Sequence, residues 1–223
     1  MVWSNKMIKP SCVFWDYNGT LIDDVGTALE SVNDMLRKRD MPCINMEQYK
    51  SYIDTPISKF YEHLFDLNEI PFDIIANEFA VGYEKHIAAD PVMDGAKELL
   101  GYFSAQGAFQ AIVSGSQQSV IENGAKRYGL YDYFDLISGA DDRYVHSKVK
   151  RAENISRLRC KSSDEILVIG DCVQDFEVSK ALGAQCILLT AGHQSRSDLQ
   201  QTGATVVDSL LEIKDIIGRG KII

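Results

Sequence analysis

The sequence predicts an α/β fold in which a parallel-sheet core carries an inserted module made only of helices. Five short apolar runs have the length of buried strands, and helical patterns separate them. The runs cover residues 8–16, 108–113, 134–138, 166–170 and 184–189. This alternation favours βαβ units on a parallel sheet. It is absent between Thr20 and about Asp90, so we assign residues 1–20 and 91–223 to the core and residues 21–90 to a helical insert.

The pattern within each part supports this division. In the insert, apolar residues at helical spacing predict long helices over 25–36 and 72–87, the second opened by Pro71, with shorter helices around 47–52 and 57–64. In the core, Ala96, Leu99, Leu100 and Phe103 predict a helix that Gly107 ends, and Gly183 ends another. Because ligands bind beyond the carboxyl ends of parallel strands, the residues that follow each strand are the candidates for function.

Composition narrows the class of protein. The chain has 223 residues, of which 45% are hydrophobic and 25% charged, as in soluble globular proteins. A net charge of −9 argues against a nucleic-acid partner. No run of about 20 apolar residues occurs, so we expect no membrane span, and no secretory signal is recognisable at the N-terminus. Five cysteines without a CxxC pair predict no disulfide framework, which favours a cytoplasmic location.

Two strand ends carry acidic residues. The first apolar run stops at Asp16, before Asn18-Gly19-Thr20, and the run 166–169 is followed by Gly170-Asp171 and then Asp175. Carboxylates from two strand ends could hold a hard divalent cation, and Mg²⁺ favours few carboxylates together with phosphate oxygens. The alternatives are an Asx-type turn at Asp16 and a helix N-cap at Asp175.

Two further features favour an anionic ligand. Ser114 and Gly115 follow Val113, and a hydroxyl with backbone amides at a helix start can hold an anion. Lys148 opens the helix that precedes the strand of Asp171, from where a lysine can reach a phosphate as a point charge. Taken singly, Ser-Gly-Ser is more often only a helix cap, and a lysine such as Lys148 is more often a solvated surface residue.

Together, and in this order, the four features resemble the haloacid dehalogenase-like hydrolase superfamily. DYNGT, at residues 16–20, resembles the first motif of the family, with Asp16 as nucleophile. Ser114 resembles the second motif, Lys148 the third (its spacing fits better than that of Lys150), and Asp171 with Asp175 the fourth. The helical insert resembles the small cap of the phosphoglycolate phosphatase-like branch.

The resemblance implies a Rossmann-like core and a Mg²⁺-dependent phosphatase that hydrolyses a small phosphorylated metabolite through an aspartyl-phosphate at Asp16. It places Mg²⁺ on Asp16, on the main-chain carbonyl of Asn18 and on Asp171, with Asp175 as a further ligand or as support. Ser114, Gly115, Lys148 and Asn18 would bind the phosphate. Whether the enzyme is a monomer or a homodimer stays open.

One position departs from the family pattern. These phosphatases usually carry a second aspartate, the general acid and base, where this chain has Asn18. An amide cannot transfer that proton, a contribution typically worth about 10²–10⁴ in rate. We therefore expect a preference for good leaving groups, such as acyl or aryl phosphates, and a lingering phosphoenzyme. Asp23, Asp24 or His193 could compensate, but we favour helix capping for the aspartates and an ordinary loop position for His193.

Two other functions remain open at this stage. A phosphonatase-like C–P hydrolase also lacks an acid at the position of Asn18 and uses an insert lysine as a Schiff base, for which Lys50 and Lys59 are candidates. A phospho-ligand-binding protein that has lost turnover is the other. Dehalogenase chemistry is disfavoured because it would leave Asp171 without a purpose.

Overall fold

The core is a six-stranded parallel sheet in a computed structural model that describes residues 10–140, 148–160 and 162–219. The strand order is β3-β2-β1-β4-β5-β6. The strands are β1 (Cys12–Trp15), β2 (Phe109–Gln117), β3 (Leu136–Ala140), β4 (Ile166–Gly170), β5 (Gln185–Leu189) and β6 (Thr205–Val207). The order reverses at β1, which lies between β2 and β4, and such a reversal opens a crevice at the carboxyl ends of the strands.

Ten α-helices accompany these strands in the described residues. They are α1 (Val25–Arg37), α2 (Met46–Tyr52), α3 (Ser58–Glu62), α4 (Phe72–His86), α5 (Ala96–Ala105), α6 (Gln118–Arg127), α7 (Val149–Arg159), α8 (Val173–Leu182), α9 (Arg196–Gln201) and α10 (Leu210–Arg219). Short 3₁₀ segments cover Ile87–Ala89, Tyr131–Tyr133 and Ser163–Glu165.

Helices cover both faces of the sheet. Trp15 packs on one face with apolar residues of α5, α6 and α10, and Phe14 packs on the other with residues of α7, α8 and α9. Successive strand residues point to opposite faces, and each β1 residue from Cys12 to Trp15 is buried. Burial on both sides explains why β1 and β4 read as continuous apolar runs rather than as alternating patterns.

Helices α1 to α4 form a separate apolar cluster above the carboxyl ends of the strands. Its centre includes Val32, Met35, Phe60 and Ile75, all fully or almost fully buried. The chain segments that enter and leave this part lie side by side: Met93 N donates to Leu21 O at 2.9 Å, and Asp23 N donates to Pro91 O at 3.0 Å. These bonds join the two ends of the predicted insert.

The predicted α/β fold with a parallel sheet is confirmed. The five predicted strands and the predicted helices are present, although positions 8 and 9 of the first run lie outside the described residues. The strand β6 and helices α9 and α10 were not predicted, and α6 begins later than the helix start expected after Val113. No helix in the described part of the chain combines the length and the apolar character needed to cross a bilayer.

The expectation about cysteines is wrong for one pair. Cys12 and Cys160 form a disulfide with a Cα–Cα distance of 6.0 Å, while Cys43, Cys172 and Cys186 are free thiols. The two partners are 148 residues apart in sequence, and only the folding of the chain brings the end of α7 to β1. Cysteine count and spacing carry no information about such a pair, so they do not support a reducing compartment either.

Candidate active site

The register of the central strands brings the candidate residues to one edge of the sheet. Trp15 of β1 lies beside Ile112 of β2 and Ile169 of β4. Asp16 follows directly, and its amide donates to the carbonyl of Ile169 at 2.9 Å. The residues after the three strands therefore meet at the crevice, as the sequence predicted.

Lys148 lies between two of the predicted carboxylates. Its Nζ is 2.6 Å from Oδ1 of Asp16 and 3.0 Å from Oδ1 of Asp175. The side chain is buried, with 3% of the residue exposed, whereas Lys150 is exposed. Burial lowers the pKa of Lys148, but the charges of Asp16 and Asp175 raise it by a larger amount. The pKa of Lys148 therefore lies above the ordinary value of a lysine. The ammonium group therefore stays charged in a buried position.

Asp171 is the second carboxylate near Asp16 and is fully buried. It accepts hydrogen bonds from the hydroxyl of Thr20 at 2.8 Å and from the amide of His193 at 2.7 Å. Burial raises the pKa of Asp171 most; His193 opposes this shift, and the charge of Asp16 adds to it. Two buried carboxylates that repel each other fit a hard divalent cation. The neighbouring thiol of Cys172 does not, because burial raises its pKa and keeps it protonated.

Asp175 supports this cluster from behind. Its Oδ2 accepts from the amides of Asp171 and Cys172 at 3.2 and 3.1 Å, and its Oδ1 contacts Lys148. The N-cap of α8 is Cys172, so the expected N-cap at Asp175 is wrong in position: Asp175 lies in the first turn, where its side chain accepts from the N-cap amide and also contacts Lys148. Burial raises its pKa to about 7.

Ser114 and Gly115 line the same cavity as Asp16, but not as predicted. The expected helix start after Val113 is wrong: β2 continues to Gln117 across a shift in register, and α6 begins at Gln118. The hydroxyl of Ser114 accepts from the amide of Ser116 at 3.2 Å. The irregular end of β2, rather than a helix N-terminus, presents these residues.

Asn18 is held by a polar network. Its Nδ2 donates to Asp24 Oδ2 at 2.8 Å and to the hydroxyl of Tyr83 at 2.7 Å, and its Oδ1 accepts from the hydroxyl of Ser116 at 2.7 Å. Tyr83 also donates to Asp24. The side chain of Asn18 is therefore fully engaged.

The favoured roles of Asp24 and His193 are wrong. Asp24 stands at the N-cap position of α1 but makes no side-chain cap bond; it accepts from the amide of Gly19 at 2.7 Å and pairs with His193 Nε2 at 3.2 Å. Asp23 is exposed. The other ring nitrogen of His193 lies 2.9 Å from the hydroxyl of Tyr49, on α2. Tyr49 and Tyr83 were missed, because nothing local distinguishes them from core tyrosines.

The pair of Asp24 and His193 is an ion pair. Burial lowers the pKa of His193, but Asp24 raises it more, and the pKa reaches about 9. Burial raises the pKa of Asp24, but His193 and hydrogen bonds from Tyr83 and Asn18 outweigh it and lower this pKa. Asp24 and His193, the two candidates to replace the acid missing at position 18, are therefore already paired with each other.

The two lysines considered for a Schiff base do not line the cavity. The Nζ of Lys50 donates to the carbonyl of Thr190 at 3.0 Å, and Lys59 is exposed and pairs with Asp54. Within the described residues, Lys148 is the lysine that lines this cavity.

A parallel doubly wound sheet binds its ligands at the reversal point, and in this chain that point gathers buried carboxylates and a lysine. The chain belongs to the haloacid dehalogenase-like hydrolases: a model of that family matches residues 13–189. It is 23% identical over 210 residues to a phosphoglycolate phosphatase of Thiobacillus denitrificans, covering 88% of this chain and 91% of that protein. It is 26% identical to a probable phosphatase of Dickeya dadantii, covering 92% of each.

Solved structures agree on the fold. A haloacid dehalogenase-like hydrolase of Streptococcus pneumoniae superposes with a TM-score of 0.80 at 17% identity, covering 92% of this chain and 97% of that one.

The loop after Asp16 generates the first testable prediction. Gly19 has φ of +68°, and a Cβ there would lie 2.4 Å from Oδ2 of Asp171. We expect Gly19→Ala to lower the free energy of unfolding by about 2 kcal/mol or more, because of the backbone strain and the contact with Asp171. Gly26→Ala is the control: Gly26 is exposed on α1, a Cβ there would have no atom within 4 Å, and alanine should stabilise by up to about 1 kcal/mol. Urea unfolding measures both, and equal effects would contradict the prediction.

His193 generates a pH prediction. A pKa of about 9 in the folded state, against 6.5 unfolded, means that its stabilisation is complete below pH 6.5 and is lost as pH rises to about 9. Relative to His193→Asn, the free energy of unfolding of the unaltered protein should fall by roughly 3 kcal/mol across that range. Urea titrations at several pH values, with a chelator present, measure the difference. Parallel profiles for the two proteins would refute the ion pair.

Proposed function

We propose that this protein is a Mg²⁺-dependent phosphatase that hydrolyses a small phosphorylated metabolite through an aspartyl-phosphate at Asp16, with Asn18 in place of the usual acid/base aspartate. The observation that carries the proposal is the buried contact of Lys148 with Asp16, beside Asp171, at the reversal point of the sheet. Membership of the family and similarity to named phosphatases over most of the chain support it.

In the first step, a carboxylate oxygen of Asp16 attacks phosphorus, the bond to the leaving oxygen breaks, and the phosphoryl group is transferred to Asp16. Charge repulsion opposes this attack by about 4 kcal/mol for each unit pair at about 4 Å and an effective dielectric of about 20. Lys148 offsets that repulsion, and Ser114 and the Gly115 amide bind the non-bridging oxygens. In the second step, water attacks the acyl phosphate, which releases phosphate and restores Asp16.

The residues that would hold Mg²⁺ are Asp16, the main-chain carbonyl of Asn18, and Asp171. Hard oxygen donors and two mutually repelling buried carboxylates suit that ion. When bound, the metal supplies Lewis-acid stabilisation of the phosphoryl charge. Asp175 supports the site indirectly, since it accepts from the amides of Asp171 and Cys172 and holds the ammonium group of Lys148 beside Asp16.

Asn18 determines which esters react well. It cannot protonate a leaving group or deprotonate water, and Asp24 and His193 are engaged with each other. The leaving oxygen must therefore depart as a stable anion, as in acyl or aryl phosphates. Since water attack also lacks a base, the second step is slow and the phosphoenzyme accumulates.

The prediction is that intact-mass measurement after mixing with 4-nitrophenyl phosphate and Mg²⁺ shows one added phosphoryl group, which Asp16→Asn abolishes. A protein that is stabilised by the ester but forms neither phosphoenzyme nor product would be a ligand-binding protein instead.

Restoring the acid requires two changes. Asp24 lies 2.8 Å from Asn18, so Asn18→Asp alone would place two carboxylates together. We expect the double variant Asn18→Asp with Asp24→Asn, which exchanges the two residues, to raise turnover of an alkyl phosphate by about 10²-fold or more and to shorten the life of the phosphoenzyme. Asp24→Asn alone is the control. Equal turnover in the double variant and the control would show that residue 18 does not limit the reaction.

A further inference from the structure

A cavity of about 330 Å³ lies between the helical insert and the carboxyl ends of the strands. Asp16, Asn18, Ser114 and Lys148 line the part formed by the core. The reacting phosphate of the proposed function would lie there, so the rest of the cavity receives the organic part of the ester. Its volume is at the lower end of the range of about 300–1,000 Å³ that is typical of small-molecule sites.

The part formed by the insert is apolar. Val32 of α1, Phe60 of α3, and Phe79 and Ala80 of α4 line it. The rings are fixed by their neighbours: Phe60 packs edge-on against Tyr49, with centroids 5.4 Å apart, and Phe79 stacks on Tyr83 at 5.6 Å. The hydroxyls of the two tyrosines are occupied by His193 and by Asp24. Apart from Asp24, Tyr61 and Glu84, the insert therefore presents ring faces and aliphatic groups to the cavity.

The charges around the cavity do not suit a second anionic group. Among the described residues that line it, the cations are Lys148, which contacts Asp16 and Asp175, and His193, which pairs with Asp24. Glu84 adds a further negative charge. A carboxylate on the organic part of the ester would lose its water and gain no free cation; the unpartnered Nε2 of Gln174 offers it a neutral donor only, so its burial is unfavourable.

We propose, on the basis of the proposed function, that the cavity selects phosphate monoesters whose organic part is uncharged and apolar, above all a single aromatic ring. It would discriminate against esters that carry a carboxylate next to the phosphate, such as phosphoglycolate. Specificity then resides in the apolar lining of α1, α3 and α4.

Binding of two matched phosphonates tests the specificity without requiring turnover. Benzylphosphonate and phosphonoacetate share the phosphonate group and differ in carrying a phenyl ring or a carboxylate. Calorimetric titration of the Mg²⁺-loaded protein should give a dissociation constant roughly 100-fold lower for benzylphosphonate. Equal affinity, tighter binding of phosphonoacetate, or no binding of either ligand would overturn the proposal.

A pair of variants on α4 locates the effect. Ala80 is half-buried and lines the cavity, while Val81, its neighbour, is 50% exposed and is not among the lining residues. Ala80→Trp should weaken benzylphosphonate about tenfold or more and leave phosphonoacetate unchanged, and Val81→Trp should alter neither. If Ala80→Trp lowers the melting temperature, Ala76→Phe, also at the lining, replaces it. Equal effects of the two tryptophan variants would contradict the assignment.

The phosphonate titrations test the apolar site, and the phosphoenzyme measurement tests the proposed reaction, so either proposal can be overturned without the other. A phenyl preference without a phosphoenzyme would overturn the proposed reaction and keep the apolar site. A phosphoenzyme with the opposite ligand preference would keep the reaction and overturn the apolar site.

Discussion

The site depends on one constraint: more carboxylates than cations are buried at the carboxyl ends of β1 and β4. Asp16, Asp171 and Asp175 are all buried, and among the described residues the side-chain cation that pairs with this cluster is Lys148. Three carboxylates exceed one ammonium, so the site must take up protons or bind a cation. The raised pKa values of Asp171 and Asp175 express that requirement. The excess of buried carboxylates is unfavourable by itself. It is therefore suited to a dication, and to a phosphoryl group that binds to the same dication.

A second charged group joins the insert to the core. Asp24 accepts from Gly19, Asn18, Tyr83 and His193, and His193 also contacts Tyr49. This network explains why an amide is compatible with position 18: Asn18 donates a hydrogen bond to Asp24, whereas an aspartate would repel it. Asn18 and Asp24 thus form a matched pair, and the departure from the family pattern belongs to a wider polar arrangement rather than to one residue.

Local patterns in the sequence were sufficient for the framework. Strand-length apolar runs, helical spacing and the residues after each strand predicted the sheet and placed Asp16, Lys148, Asp171 and Asp175 together. Contacts between segments that are distant in the sequence could not be predicted from such local patterns. Tyr83 reaches Asp24 from 59 residues away and Tyr49 reaches His193 from 144, and a tyrosine at helical spacing looks the same whether it packs in a core or faces a site. The irregular end of β2 was missed for the same reason, because its register is set by β3.

The missing acid and the apolar cavity are independent observations that favour one kind of ester. In the proposed reaction, Asn18 restricts the chemistry to leaving groups that depart without a proton, and an aryl oxygen does so because its ring delocalises the charge. The insert restricts binding to groups that tolerate loss of water, and an aryl ring does so because it is apolar. An alkyl ester with a carboxylate satisfies neither condition. The two restrictions arise on different segments of the chain, residue 18 in the core loop and the apolar faces of α1, α3 and α4. Their agreement is therefore a property of the assembled site that neither segment has alone.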